Sequence, residues 1–93
     1  MKLAFIIDPI NRLDPGHDTS VALMEAAQQL GHEVWVTQAT QLGVVQGKAT
    51  ALLQPVHLTP VQLVAGLWQA ASPWFEVGEA SLRSLEEMDA VFM

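Results

Sequence analysis

The first 37 residues show two apolar runs separated by a stretch of helical periodicity, which predicts a strand, a helix and a second strand. Residues 3–7 form a continuous apolar run, typical of a strand that is buried on both faces. Residues 33–37 are β-branched and aromatic, and they predict the second strand. The helix between them is predicted over about 18–30, with Gly31 as its stop signal. This order predicts a right-handed crossover between two parallel strands.

The predicted helix has a candidate cap and an apolar face. Its N-cap is expected to be one of three consecutive polar residues: Asp18, Thr19 and Ser20. Its apolar residues recur at helical spacing, and they predict the face that packs against the sheet: Ala22, Leu23, Ala26, Ala27 and Leu30.

A hairpin and a second helix are predicted for the middle of the chain. Residues 42–53 predict a hairpin that turns near Gln46-Gly47. Thr59 suits an N-cap and Pro60 suits the first helical position, so a helix is predicted over 60–71.

Three short elements are predicted after the second helix. Residues 74–77 predict a short strand or an extended segment, and Ser84 can cap a helical turn over 84–87. Residues 89–93 predict the start of another buried strand. Because domains rarely end inside an apolar strand without a polar tail, we expect residues 1–93 to be one domain of a longer protein, cut within this strand.

Composition and charge exclude several classes of protein. Of 93 residues, 51% are hydrophobic and 15% are charged, compared with about 25% charged in an average domain, which excludes a disordered tail. Ten acidic and four basic residues give a net charge of -6, which disfavours nucleic acids and anionic membranes as partners. The chain has no cysteine, which excludes disulfides, thiolate zinc sites and a cysteine nucleophile.

No targeting or membrane-spanning segment is predicted. The apolar run at the start of the chain ends at Asp8, which makes it shorter than the roughly 7–15 apolar residues of a signal peptide. Residues 49–75 lack Asp, Glu, Lys and Arg, but three prolines interrupt them, whereas a spanning helix needs about 20 mostly apolar residues in a row. We therefore expect a cytoplasmic protein.

The loop after the first strand holds the candidate site residues, because open α/β sheets bind ligands at the carboxyl ends of their strands. Asp8 and Asp18 could face an ammonium group of a substrate; alternatively, Asp8 ends the strand and Asp18 caps the helix. Thr19 and Ser20, together with the free N–H groups of the first helical turn, could hold a substrate carboxylate. The alternative for this pair is capping alone.

Nucleotide, metal and catalytic motifs are absent from the sequence. The loop has neither the Gly-x-Gly-x-x-Gly signature nor the Gly-rich phosphate loop that ends in Lys-Ser/Thr, so this chain is not expected to bind a nucleotide by itself. The three histidines, at positions 17, 32 and 57, lack metal-ligand spacing. No catalytic residue and no metal ligand are predicted.

Six segments stand out by their order and spacing: residues 1–10 (MKLAFIIDPI), Asp18-Thr19-Ser20, Met24-Glu25-Ala26, Gly31-His32-Glu33-Val34, Trp74-Phe75 and Asp89-Ala90-Val91-Phe92-Met93. Together they resemble the N-terminal domain of prokaryotic glutathione synthetase, a family of ATP-grasp ligases. The resemblance spans nearly the whole chain and is strongest over residues 1–34.

The resemblance implies an α/β fold, namely a Rossmann-like (pre-ATP-grasp) domain of three layers with a mainly parallel sheet and an added hairpin. Enzymes of the family join γ-glutamylcysteine to glycine with ATP and Mg²⁺, through an acyl phosphate that the glycine amine attacks. They bind ATP and the metal in later domains. The resemblance therefore implies that this domain lines the substrate side, binds no cofactor and has no activity alone.

Two expectations concern the partners of the domain. Removing the ATP-grasp domains would expose an apolar patch and a sheet edge near residues 89–93, so a homo-oligomer is expected. The alternative to a ligase domain is a free-standing α/β module that binds a small molecule or a protein through residues 8–20. A reading frame that continues well past Met93 would favour the ligase, and a stop codon there would favour the module.

Overall fold

In a computed structural model, which describes residues 1–14, 18–59, 62–69 and 74–93, a single mixed sheet carries most of the chain. The one α-helix within these ranges, α1, spans Thr19–Gln29. The strands follow in chain order: β1 (Lys2–Ile6), β2 (Glu33–Thr37), β3 (Leu42–Val45), β4 (Lys48–Leu58), β5 (Gln62–Val64), β6 (Leu67–Gln69), β7 (Phe75–Val77), β8 (Ser81–Ser84) and β9 (Ala90–Phe92). The sheet order is β3-β4-β2-β1-β9, β7 and β8 also pair with β4 outside this path, and β5 pairs with β6 in a separate hairpin.

The sheet combines a parallel part and an antiparallel part. β1 pairs in parallel with β2 and with β9, so that Leu3 lies opposite both Val34 and Ala90. The four strands that pair with β4 are all antiparallel to it. The α/β class is therefore confirmed, but the mainly parallel sheet is not, because the sheet is mixed. The physical reason is the turn at Gln46-Gly47, which reverses the chain and returns the 11-residue strand β4 beside β2.

Several of the predicted elements are confirmed. β2 occupies its predicted segment and β1 lies within one residue of its own. The hairpin begins at Leu42 and turns at Gln46 and Gly47 as predicted, with φ values of 52° and 78°, but β4 continues past the predicted end at 53 to Leu58. The cap of α1 is Asp18, whose carboxylate accepts a hydrogen bond of 3.2 Å from the backbone N–H of Ser20. Ser84 caps the short 3-10 turn Leu85–Glu87 in the same way, and β9 follows as the predicted last strand.

The helix predicted over 60–71 is wrong for the part that the structure describes. Residues 62–69 form the β5–β6 hairpin, which turns at Ala65 and Gly66 with φ values of 51° and 80°. Residues 60–61 and 70–71 lie outside the described ranges. A two-residue turn of this kind needs positive φ at both positions, and Gly66 adopts it without steric cost, so the turn prevails over the capping signal at Thr59.

α1 packs on the sheet through a different face from the one the sequence predicts. Its buried residues are Val21, Met24 and Ala27. Of the predicted apolar face only Ala27 is buried, whereas Leu23 is 52% exposed and Leu30 is 76% exposed. The helix carries apolar side chains on more than one side, and the packing against β1, β2 and β4 selects the buried one.

The strands bury side chains on both faces of the sheet. On one face, α1 covers a cluster made of alternate strand residues: Leu3, Phe5, Val34, Val36, Val56 and Leu58. On the opposite face lies a smaller cluster: Ala4, Trp35, Ala51, Leu53 and Met88. The guanidinium of Arg83 lies 4.8 Å from the centre of the Trp35 ring and covers part of this second cluster. The three-layer arrangement is not confirmed among the described residues, because α1 covers only one face.

A side-chain clamp joins α1 to the end of β4. The amide of Gln28 donates from Nε2 to the carbonyl of Leu58 and accepts at Oε1 from the N–H of Leu58, both at 2.7 Å. The pairing of β4 with β2 ends where Val56 lies opposite Val34, so β2 does not reach the backbone of Leu58. Gln28 therefore satisfies two backbone groups that the sheet ladder leaves open.

Backbone and side-chain contacts tie β1 to β9. The N–H of Lys2 donates to the carboxylate of Asp89 at 2.6 Å, and the N–H of Asp89 donates to the carbonyl of Lys2 at 2.8 Å. Further along the two strands, the rings of Phe5 and Phe92 stack with their centroids 4.9 Å apart. β9 is thus held to the start of the chain at both of its ends.

The end of α1 is a Schellman motif around Gly31. Gly31 has a φ of 88°, and its N–H donates to the carbonyl of Gln28 at 3.0 Å. The N–H of His32 donates to the carbonyl of Ala27 at 3.1 Å, which completes the pair of hydrogen bonds that defines the motif. The predicted stop signal is confirmed.

Replacing Gly31 by alanine is expected to lower the free energy of unfolding by about 1 kcal/mol, because a Cβ atom is strained at positive φ. Urea-induced unfolding followed by circular dichroism measures the loss. Gly43→Ala is the matched control, since its φ is not positive and its Cβ would meet Thr50 Oγ1 at an ordinary 3.6 Å. Equal losses in the two variants would contradict the assignment of strain to Gly31.

Candidate functional site

A cleft of about 510 Å³ opens at the carboxyl ends of β1 and β2, beside the first turn of α1. Open α/β sheets bind ligands in this position. Its polar walls come from the segment after β1, the start of α1 and the segment after β2: Asp8, Arg12, Asp18, Ser20, Gln38 and Thr40.

The chain turns after β1, and the side chains of this segment line the cleft. The N–H of Ile7 donates to the carbonyl of Thr37 at 2.9 Å, which keeps the exits of β1 and β2 side by side. Pro9 then starts a 3-10 turn over Ile10–Arg12, in which the N–H of Arg12 donates to the carbonyl of Pro9 at 2.8 Å. This turn brings Arg12 into the same wall as Asp8.

Asp18 has a structural role at the site. Its carboxylate caps α1 by accepting from Ser20, and its own N–H donates to the carbonyl of Asp14 at 2.8 Å. The alternative interpretation of Asp18 as a helix cap is therefore confirmed. Its half-buried side chain also lines the cleft, so capping and ligand binding are compatible at this position.

The structure brings together three of the four predicted site residues. Asp8, Asp18 and Ser20 line one cleft. Thr19, by contrast, is exposed and is not among the residues that line it. Their role in substrate binding remains a prediction at this point. His17 lies outside the described residues.

Sequence reasoning missed the part of the cleft that follows β2. Gln38, Ala39 and Thr40 line it, as does Arg12 from the first loop. The side chain of Gln41 fixes this segment, since its Oε1 accepts from the N–H of Gln38 at 3.2 Å. The rule that located the first loop applies equally to the end of β2, and it would have found residues 38–40.

Charges of both signs face the cleft. Two carboxylates, Asp8 and Asp18, and one guanidinium, Arg12, belong to its walls, with the hydroxyls of Ser20 and Thr40 and the amide of Gln38 between them. Carboxylates pair with ammonium groups, and a guanidinium pairs with carboxylates in a bidentate manner. The arrangement suits a small zwitterion that carries both groups.

The chain matches a known protein family over its whole length. The family model described as "Prokaryotic glutathione synthetase, N-terminal domain" matches residues 1–93, the whole chain. This chain belongs to that family. Membership confirms the family that the resemblance indicated.

Individual glutathione synthetases are similar to the chain over its whole length. The glutathione synthetase of Nostoc sp. is 71% identical over 93 residues, and that of Thermosynechococcus vestitus is 58% identical over 93 residues. The glutathione synthetase of Synechocystis sp. is 57% identical over the same length. The chain spans 29% of the length of each of these relatives.

Two further observations concern metal binding and membrane spanning. Among the residues that the structure describes, no three His, Asp or Glu side chains are grouped so that they could hold a metal ion. In the same ranges, no helix is long and apolar enough to cross a membrane.

Proposed function

We propose that this chain is the substrate-side domain of a glutathione synthetase and that its cleft receives the γ-glutamyl end of γ-glutamylcysteine. The observation that carries the proposal is the meeting of Asp8, Arg12 and Ser20 in one cleft at the carboxyl ends of β1 and β2. The γ-glutamyl end carries an ammonium group and a carboxylate on the same carbon. A site for it needs an anion and a cation within a few ångströms of each other.

Each group of the cleft has a role in this proposal. Asp8, exposed at the end of β1, pairs with the substrate ammonium. Arg12 pairs with the α-carboxylate, and the Ser20 hydroxyl donates a hydrogen bond to the same group. The start of α1 adds a partial positive charge, which favours a carboxylate at this end of the helix. Asp18 holds the first turn of α1 in place through the Ser20 N–H.

The reaction of the whole enzyme forms an amide from a carboxylate and an amine. ATP phosphorylates the cysteinyl carboxylate of γ-glutamylcysteine, and the glycine amine displaces the phosphate to give glutathione, ADP and phosphate. Mg²⁺ would neutralise charge on the nucleotide, and we place ATP, Mg²⁺ and the catalytic groups in ATP-grasp domains outside this chain. The residues described above hold and orient the substrate, and by themselves they catalyse no reaction.

The proposal extends to the setting of the enzyme. In this domain, the parallel strands β9, β1 and β2 and the helix α1 packed on them form the proposed Rossmann-like part. We also propose a cytoplasmic location and a homo-oligomeric state. Glycine and γ-glutamylcysteine are the proposed substrates, and the ATP-grasp domains are the proposed intramolecular partners.

In the full-length enzyme, Ser20→Ala is expected to raise the KM for γ-glutamylcysteine by about 10-fold, because it removes one hydrogen bond to a charged group. The KM for ATP should change less than 2-fold. Steady-state kinetics with each substrate varied in turn measures both values. Thr19→Ala is the matched control, since Thr19 is the neighbouring hydroxyl residue of the same helical turn and does not line the cleft.

Two results would count against this placement of the substrate. One is an unchanged KM for γ-glutamylcysteine in Ser20→Ala. The other is an equal rise for both substrates, which indicates a general loss of structure. A thermal unfolding curve for each variant separates the second result from a loss of binding.

A further inference from the structure

One wall of the cleft is uncharged and has no role in the placement of the γ-glutamyl end. This uncharged wall consists of Gln38, Ala39 and Thr40, which follow β2. The charged groups of the cleft come instead from the segment after β1 and from the start of α1. The zwitterionic end of a substrate pairs with those charges, which leaves the uncharged wall for a part of the substrate that is polar but not ionised.

The uncharged wall is closed by a single residue, Gln41, which uses both its backbone and its side chain. The N–H of Gln41 donates to the carbonyl of Gln38 at 2.9 Å and forms the 3-10 turn Ala39–Gln41. In return, Oε1 of Gln41 accepts from the N–H of Gln38 at 3.2 Å. Because the two hydrogen bonds run in opposite directions between the same two residues, they fix the conformation of the residues between them.

A buried hydroxyl ties this turn to the sheet. Thr37, the last residue of β2, is 2% exposed. Its hydroxyl faces two acceptors, the carbonyl of Leu52 at 2.9 Å and Oε1 of Gln41 at 3.4 Å, and the shorter distance is the stronger hydrogen bond. Thr37 thus continues the link between β2 and β4 beyond their last register pair, Val36 with Gln54. The turn therefore starts from a fixed point of the sheet.

Gln41 lies behind the cleft, and it is not among the residues that line it. It lines an adjoining cavity of about 20 Å³, whose walls include two residues that also line the cleft, Asp8 and Gln38. A cavity of this size has room for about one water molecule, so no part of a dipeptide fits beside Gln41. An effect of Gln41 on a substrate is therefore indirect.

We propose that Gln41 is a positioning residue for γ-glutamylcysteine, because it holds the carboxamide of Gln38 and the hydroxyl of Thr40 where they bind the peptide amide of the substrate. This inference rests on the proposed function, which places the γ-glutamyl end against the charged groups of the cleft. The peptide amide is the next polar group along the substrate, and it offers one donor and one acceptor without a charge. A carboxamide and a hydroxyl each supply a donor and an acceptor, so the uncharged wall is complementary to it.

Steady-state kinetics of Gln41→Leu in the full-length enzyme test the positioning role. The KM for γ-glutamylcysteine should rise about 5-fold, because the turn loses the acceptor for the N–H of Gln38. The kcat should change less than 2-fold, since the carboxylate that reacts belongs to the cysteinyl end of the substrate. Gln41→Glu keeps an acceptor oxygen at the same position of the side chain, and its KM should stay within 2-fold of the value for the unmodified enzyme.

Gln28→Leu is the matched control, since it makes the same change at another glutamine that bonds to the backbone. It removes two hydrogen bonds between α1 and β4, and Gln28 does not line the cleft. Its KM for γ-glutamylcysteine should therefore stay within 2-fold. A rise equal to that of Gln41→Leu indicates a general loss of structure and overturns the proposal. An unchanged KM in Gln41→Leu, or the same rise in Gln41→Glu, overturns it as well.

A double-mutant cycle tests whether Gln41 acts through the uncharged wall. Gln38→Ala combined with Thr40→Ala removes the two side chains that are proposed to contact the peptide amide. In that background, adding Gln41→Leu should raise the KM by less than 2-fold, because no polar side chain is left to position. A further 5-fold rise would show that Gln41 acts through another part of the molecule, and it would overturn the proposal.

Two measurements separate this inference from the proposed function. In the absence of substrate, the amide of Gln38 should exchange with solvent roughly 5-fold faster in Gln41→Leu than in Gln41→Glu, and equal rates overturn the positioning role. Ser20→Ala in the same kinetic assay reports on the γ-glutamyl end. If Ser20→Ala raises the KM for γ-glutamylcysteine and Gln41→Leu does not, the positioning role alone is wrong. The reverse result supports the role of Gln41 and contradicts the placement of the γ-glutamyl end.

Discussion

Leu53→Ala is expected to lower the free energy of unfolding by about 2–5 kcal/mol, the largest loss that we anticipate for any single substitution considered in this chain. Leu53 is fully buried in the second cluster, where Ala51 and Met88 are also buried. Truncating it removes apolar contacts and leaves a cavity that the surrounding strands cannot fill completely. Urea unfolding of the 93-residue chain, followed by tryptophan fluorescence and circular dichroism, measures the loss.

The matched control for Leu53 is Leu82→Ala, the same chemical change at a residue that is 64% exposed. Leu82→Ala should lower the free energy of unfolding by less than about 0.5 kcal/mol, as most surface substitutions do. A small loss for Leu53→Ala would show that the second face of the sheet is not a packed core. The prediction therefore tests the cluster that no helix covers among the described residues.

Gln28→Leu is expected to lower the free energy of unfolding by about 2–3 kcal/mol. The substitution removes both hydrogen bonds to Leu58, and an unsatisfied buried backbone group costs about 1–3 kcal/mol. In addition, hydrogen exchange at the amide of Leu58 should become faster than in the unmodified chain. Urea unfolding and exchange monitored by NMR measure the two effects.

Gln29→Leu is the control for Gln28, because it makes the same change one residue further along α1, at an exposed position. Its effect on stability should lie within about 0.5 kcal/mol, and the amide of Leu58 should keep its protection. If the two variants lose the same stability, the clamp is not the cause. If Gln28→Leu is as stable as the unmodified chain, the two hydrogen bonds make no net contribution to the free energy of unfolding.

Local signals predicted the part of the fold in which each element is decided by its own residues. The continuous apolar run of β1, the N-cap Asp18 and the stop at Gly31 all act within a few residues, and each is confirmed. The β5–β6 hairpin was missed because Thr59 carries a helical capping signal while Ala65-Gly66 carries a turn signal. Nothing in the sequence ranks the two signals, since the outcome depends on backbone conformation at the turn.

Tertiary packing decides which face of α1 is buried and which loop residues meet in the cleft, and local sequence patterns do not. Leu23 and Leu30 fit the helical periodicity as well as Val21 and Met24 do, and only packing against the sheet buries the second pair. In the cleft, the spacing of Asp8 and Asp18 along the loop suggested that they would meet. Arg12 joins them because a 3-10 turn redirects the chain, and such a turn has no clear signature in the loop sequence.

The parallel pairing of β1 with β9 has a consequence for synthesis of the protein. β1, α1 and β2 are complete once residue 37 has been made, but Phe92, which stacks on Phe5, is made 55 residues later (92 minus 37). At roughly 5–20 residues per second, the ribosome needs about 3–11 seconds for that interval. During this time the second edge of β1 has no strand partner, and the nascent chain carries an open, apolar parallel edge. Chaperones that bind short apolar segments could bind this edge during the interval. A synonymous change that slows translation between residues 37 and 92 should lengthen the interval.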